Sequence, residues 1–310
     1  MSFREEQYYA SSKESFIKLE KDFKSHEGVD FNEYSSEEDL KKLWHDTLEN
    51  GMHGLCFSMY EDQQKPGDVI TIEQVERRIK IIKPYTKWVR SFSCIEGNEH
   101  IPRMAHKHGL KNMVGAWLSD DLEMNESEIE GLIQLAKEGC VDIAAVGNEV
   151  LYRNDLSLEQ LLGYIKRVKE ALPGIPVGYV DAYYEFSKHP ELVEVSDVIL
   201  ANCYPYWEGC SIEHSLNHMQ QMYGQAAHAA NGKKVIITES GWPSKGESLR
   251  GAHSSEENAM KYFINAQAWS SKDDIDMFYF SSFDESWKVG AEGVVGAYWG
   301  LWDKHEKLKY

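Results

Sequence analysis

Val235-Ile-Ile-Thr-Glu239-Ser-Gly-Trp-Pro243 is a short apolar run that stops on an acid. Pro243 forbids a continuing ladder, so the run reads as a strand that emerges into a loop at Glu239. Its unbroken apolar character is that of a strand buried on both faces, as in a parallel sheet. A carboxylate placed there is costly unless paired, so a chemical use for it is expected. Val141-Asp-Ile-Ala-Ala-Val-Gly-Asn148-Glu149-Val150 repeats the design, with Asn148 and Glu149 at the outgoing end. Two acids at the ends of two core strands are the raw material for general-acid and nucleophile chemistry at a sugar carbon.

The same rhythm extends in both directions. Further strand-like runs are Gly54–Tyr60, Lys87–Ser93, Lys111–Trp117, Ile175–Asp181, Asp197–Trp207 and Ile275–Asp284. Between them lie helical patterns with caps at Thr71, Asn125, Ser157 and Ser254 or Ser255. About eight strands alternating with helices over some 250 residues predict an α/β fold, a TIM (β/α)8 barrel. A doubly wound sheet would share the alternation, but neither G-x-G-x-x-G nor a Walker sequence occurs. In a barrel all strands open onto one face, so Glu149 and Glu239 converge although they are far apart in the chain. The polar segment 1–50 carries Leu40, Leu43, Trp44 and Leu48 at helical intervals. It predicts an N-terminal helical appendage over one end of a catalytic barrel spanning 51–310.

Composition narrows the partners. The 310 residues carry a formal charge of −18, which argues against nucleic acid, since that affinity rests on cations neutralising phosphates. A neutral glucan is compatible. Aromatic content is 12%, including nine Trp and seventeen Tyr, and suits stacking on flat ligand faces. The five Cys include no C-x-x-C pair and read as buried free thiols. His100, His106 and His108 lack the H-E-x-x-H spacing and read as a solvated helix face, so no metal is expected. No apolar leader or membrane-length run is visible. The chain as given reads as cytoplasmic, or as secreted or periplasmic if a leader was removed. Oligomeric state is not legible.

Other strand exits supply candidate sugar contacts. Tyr204, Tyr206 and Trp207 end the sixth strand, Glu285, Trp287 and Lys288 follow the eighth, and Tyr60 ends the first. Trp242 follows Glu239. Arg90, inside the second strand, is expected to meet a carboxylate. Trp88 and Trp117 read as packing.

Gly147-Asn148-Glu149-Val150, Glu239-Ser-Gly-Trp-Pro243, Tyr204-Pro-Tyr206, Glu285 with Lys288, and Trp299-Gly-Leu301 together resemble glycoside hydrolase family 17, the β-1,3-glucanase family. The likeness runs in order from Gly54 to Trp302. It implies a retaining β-glucanase of the large TIM-barrel clan, acting on β-1,3-glucan or its oligosaccharides without metal or organic cofactor. Carried over, Glu149 is the acid/base, Glu239 the nucleophile and Asn148 a partner of the sugar 2-hydroxyl, with Glu285 and Lys288 supporting the reacting subsite. Asp284 departs from the Asn usual in plant members, and the first fifty residues have no counterpart in their mature barrels. A glucanosyltransferase using the same acids and a non-catalytic glucan-binding barrel remain alternatives. Endo or exo action depends on loops such as 61–68 and 208–213.

Overall fold

The computed structural model describes residues 28–34 and 36–310. Eight parallel strands close into a barrel in chain order: β1 (Met52–Cys56), β2 (Thr86–Ser91), β3 (Lys111–Ala116), β4 (Ile143–Asn148), β5 (Val177–Ala182), β6 (Ile199–Asn202), β7 (Val235–Ser240) and β8 (Met277–Tyr279). Gly54 opposite Phe278 and Leu55 opposite Tyr279 close the ring. This is the TIM barrel that the alternation predicts.

Around it stand the longer helices α1 (Glu37–Glu49), α2 (Ile72–Ile82), α3 (His100–Lys107), α4 (Leu122–Lys137), α5 (Leu158–Ala171), α6 (Ile212–Ala229) and α7 (Glu256–Lys272). Thr71, Ser157 and Ser255 cap α2, α5 and α7 by accepting from the N–H three residues on. Asn125 does not cap α4. The helix starts earlier, where the Asp121 carboxylate accepts from the Glu123 and Met124 N–H groups. Asn125 is buried in the first turn and bonds both backbone groups of Ser119, which ties the loop after β3 to the helix.

β8 is followed only by single turns, Ser286–Lys288, Val289–Glu292 and Val294–Ala297. The gap this leaves in the outer layer is filled from the other direction. α1 packs along α7, with Trp44 fully buried against Phe263 at 5.5 Å and Tyr310 at 5.0 Å between ring centroids. Leu40, Trp44 and Leu48, four apart, form its buried stripe. Residues 36–50 thus carry the helix expected there, and it packs along α7 on the flank that β8, followed only by single turns, leaves without a long helix of its own. Residues 1–27, which share the expected appendage, lie outside the described residues. No described helix is long and apolar enough to cross a membrane.

The ladder is irregular at its C-terminal end. Register shifts fall between Ala145 and Asn148 on β4, between Ala201 and Asn202 on β6, and between Ile237 and Ser240 on β7. Such bulges re-aim side chains. The β6 shift sets Asn202 directly opposite Glu239.

Candidate active site

Glu149 stands one residue past β4 on a turn that the sequence makes tight. Gly147 has φ +83°, and a Cβ there would come 2.9 Å from the Val150 side chain. Glu149 itself has φ +51°, a left-handed conformation that costs a non-glycine residue about 1–2 kcal/mol. Its N–H is tied to the Val180 carbonyl at 2.8 Å, so the strained turn is pinned by the neighbouring strand. Glu239 leaves β7 under similar constraint: a Cβ on Gly241 would lie 2.0 Å from the Phe280 carbonyl oxygen, so only glycine lets the two loops pass. Both acids are 5% exposed.

Asn202 joins them. Its Nδ2 donates to Glu149 Oε1 at 3.1 Å and to Glu239 Oε1 at 3.3 Å. The Thr238 hydroxyl donates to Asn202 Oδ1 at 2.8 Å, which fixes the amide with its two N–H groups toward the acids. The two oxygens can therefore be no more than about 6.4 Å apart, the sum of the two bonds. Carboxyl pairs of retaining glycosidases stand about 5–5.5 Å apart and those of inverting enzymes about 6.5–9.5 Å.

Glu239 is held on every side. Arg90 Nη1 meets its Oε1 at 2.6 Å and the Tyr204 hydroxyl donates to its Oε2 at 2.7 Å. Arg90 also donates to the Thr238 carbonyl at 3.1 Å and to Asn148 Oδ1 at 2.8 Å, with its guanidinium 4.3 Å above the Phe92 ring. Burial works against its charge, but Glu239 and the Cys56 sulfur together outweigh it and the guanidinium ionises more firmly than usual. Arg90, expected to meet a carboxylate, meets this one. The neighbouring Cys56 thiol is pushed up to about 12 by burial and stays neutral.

Behind Glu149, the fully buried Asp181 on β5 shares a hydrogen bond with the Tyr179 hydroxyl, whose oxygen accepts from the Leu151 N–H at 3.0 Å. Burial first, then the charge of Glu149, hold the Asp181 carboxyl well above the usual carboxylate range. On the β8 side Glu285 accepts from Lys288 at 2.6 Å and from the Trp287 indole at 3.2 Å. The Lys288 ammonium also lies 4.4 Å from the Phe280 ring centre. Asp284, the departure from the family pattern, forms a buried ion pair with Lys309 at 2.8 Å. Burial nevertheless pushes its carboxyl up to about 6.

The aromatic candidates divide by exposure. Tyr204 touches Glu239, and Tyr60, 9% exposed, sets its edge on the half-buried Trp287. Trp242 is 1% exposed, donates to the His253 carbonyl and packs on Tyr206 and Tyr262, so it supports the site from behind. Tyr206 is likewise buried, its hydroxyl on the Glu247 carbonyl. These two rings have no open face for a sugar, which corrects their expected role, because the β6 and β7 exits fold back over them. Tyr204, Tyr206, Trp207 and Phe280 all pack within 6.0 Å of Trp299. Asn202, Thr238, Asp181 and Trp299 were not among the sequence-derived site residues. For Asn202 the signal was its place at the end of a core strand, but only the shifted register aims it at both acids.

A closed barrel with two carboxylates joined at the C-terminal ends of β4 and β7 defines a glycoside hydrolase. The BtgE/BtgC glycoside hydrolase domain matches residues 54–300, so the chain belongs to that family and to glycoside hydrolase family 17. It is 26% identical to a glucan 1,3-beta-glucosidase of Saccharomyces cerevisiae over 266 residues, 76% of this chain and 83% of that one. A glucan 1,3-beta-glucosidase of Schizosaccharomyces pombe is 28% identical over 253 residues, 74% and 78% of the two chains. Among solved structures, a glycoside hydrolase family 17 beta-1,3-glucanosyltransferase from Rhizomucor miehei superposes with a TM-score of 0.75 at 30% identity, covering 84% of this chain and 96% of that one. An active-site mutant of that Rhizomucor enzyme holds laminaritriose.

Proposed function

We propose that the protein hydrolyses β-1,3-glucosidic bonds of laminarin-type glucans with retention of configuration, Glu239 acting as nucleophile and Glu149 as acid/base. The observation that carries the reading is the single Asn202 amide donating to both carboxylates, which holds the bonded oxygens within about 6.4 Å, below the spacing of inverting enzymes. Glu239 is paired with Arg90 and aligned by the Tyr204 hydroxyl. Its oxygen attacks the anomeric carbon while the bond to the leaving oxygen breaks and takes the proton from Glu149. Water then attacks the glycosyl ester, gives its proton to Glu149, and frees Glu239. Asn148 meets the 2-hydroxyl in this reading, which its fixed position beside Arg90 supports. Glu285 and Lys288 support the reacting subsite from the β8 side, a role favoured by their ion pair and by the reach of the Glu239 charge to Lys288.

Glu239→Gln and Glu149→Gln should each abolish sugar release from laminarin. With an activated aryl glucoside, azide should restore turnover to Glu149→Ala and give a β-glucosyl azide, while Glu239→Gln should give none. Undiminished laminarin hydrolysis by either Gln variant refutes the assignment. Likeness to the Rhizomucor glucanosyltransferase favours a second reading, in which another sugar replaces water in the second step. Products longer than the substrate at high laminari-oligosaccharide concentration would decide for it, and a laminarin time course separates internal cleavage (a ladder) from end-trimming (one small product).

A further inference from the structure

The double displacement leaves one buried acid beside the site without a part. Asp181, on β5, is 0% exposed, and the groups that bond it are neutral. Its Oδ1 accepts from the Ala182 N–H at 2.8 Å, and its Oδ2 meets the Tyr179 hydroxyl. Burying a carboxyl on neutral partners is expensive, so a use for it is implied.

That use lies in what the Tyr179 hydroxyl does. Residues 179–181 of β5 run beside the turn that carries Glu149, and two of them bind it. The Val180 carbonyl accepts from the Glu149 N–H at 2.8 Å, and the Tyr179 hydroxyl oxygen accepts from the Leu151 N–H at 3.0 Å. The Tyr179 ring packs under Gly147, where a Cβ would come 3.4 Å from it. One strand therefore holds the turn at residues 147, 149 and 151, on both sides of the left-handed Glu149. A phenol can take the Leu151 N–H on its oxygen only if its own hydrogen points elsewhere. Asp181 receives that hydrogen. Burial, then the Asp181 charge, raise the Tyr179 phenol well above its usual range, so the hydrogen stays on it. Aim matters at Glu149, because a general acid must deliver its proton to one leaving oxygen within hydrogen-bond reach.

We infer that Tyr179 and Asp181 are positioning residues for proton delivery: Asp181 orients the Tyr179 hydroxyl, and that hydroxyl fixes the turn from which Glu149 protonates the leaving oxygen. The inference rests on the acid/base reading of Glu149 above. Both side chains are fully buried, so neither touches the sugar. Losing the brace should impair proton transfer and spare attack by Glu239. Of the about 10²–10⁴-fold that a general acid supplies, misplacing it should forfeit about ten- to a hundredfold.

The test is the leaving-group dependence of kcat/KM, which reports the first displacement alone. Phenyl β-laminaribioside needs the proton from Glu149; dinitrophenyl β-laminaribioside, whose phenolate leaves unaided, does not. Tyr179→Phe removes one oxygen, and should lose about ten- to a hundredfold on the phenyl substrate but less than about twofold on the dinitrophenyl one. Asp181→Asn should show the same split, and the double variant should lose no more than the worse single, since the two act as one unit. A general loosening of the barrel would lower both substrates together. Equal losses on both substrates, no loss on either, or a double variant whose loss multiplies those of the singles overturns the proposal. Should Asp181→Asn fail to fold, Tyr179→Phe alone decides by the same split. Glu149→Gln, run alongside, should show the split in its strongest form. If it lowers both substrates equally, or if wild type cleaves neither, the acid/base reading itself fails and takes the proposal with it.

Discussion

Replacing Arg90 by Met tests the electrostatic frame around Glu239, the proposed nucleophile. The two side chains are 2% and 7% exposed, with nitrogen and oxygen 2.6 Å apart. Removing one partner of so desolvated a pair leaves an uncompensated charge and costs about 3–5 kcal/mol. With an unfolding entropy of about 2.1 cal/mol/K per residue, that lowers the thermal midpoint of this 310-residue chain by about 5–8 °C. Met fills the space of the aliphatic stem, so little of the loss is packing. Arg90→Met should also lower kcat on laminarin by about a hundredfold or more, since Glu239 and Asn148 lose the donor that orients both. The diagnostic partner is Arg90→Met combined with Glu239→Gln. Deleting both charges exchanges a buried ion pair for neutral groups, which is near neutral for stability, so the double variant should melt above Arg90→Met alone. A single variant that melts with wild type, or a double variant whose loss equals the sum of the two singles, would show that the charges do not act as a pair.

Two further outcomes follow from buried acids away from the reacting carbon. Glu128 is pushed up to about 7 by burial, against the pull of Ser93 and the Cys94 N–H. Its folded pKa is above the ordinary Glu value of about 4.3, so the folded state holds a proton that the unfolded state has lost, and stability falls as pH rises through that window. Glu128→Gln should remove up to about 3–4 kcal/mol of that fall, seen as a smaller difference between urea midpoints at pH 5 and pH 8 than in wild type; an unchanged difference contradicts the account. Lys309 reaches Asp284 at 2.8 Å, Ser244 at 2.9 Å and the Tyr298 carbonyl at 3.3 Å, joining the exits of β7 and β8. Lys309→Met should destabilise by about 3 kcal/mol, and Asp284→Asn added to it should recover most of that, measured by thermal unfolding.

What the sequence disclosed, and what it withheld, follows from the range of the forces involved. Apolar strands and capped helices are local patterns, so the barrel was legible in order, and the expense of an acid at a core strand end singled out Glu149 and Glu239. Features that depend on a neighbour distant in the chain were not legible. Asn202 looks like any strand-end amide until the register slips by one residue between Ala201 and Asn202 and turns it onto both acids. Trp117 and Trp242 sit in similar surroundings in the chain, each just beyond a buried strand. Yet the first is left open above Arg153 and the second is roofed by the segments carrying Tyr206 and His253. The Asp at 284 looked like a fault in the active-site pattern because its partner, Lys309, comes back from the far side of the β8 loops. The same return brings Tyr310 onto Trp44 of α1, the helix that covers the flank β8 leaves bare. The departures at Asp284 and in residues 36–50 thus meet in one place. Both belong to the way this barrel closes after its eighth strand, and neither alters the pair of acids at its centre.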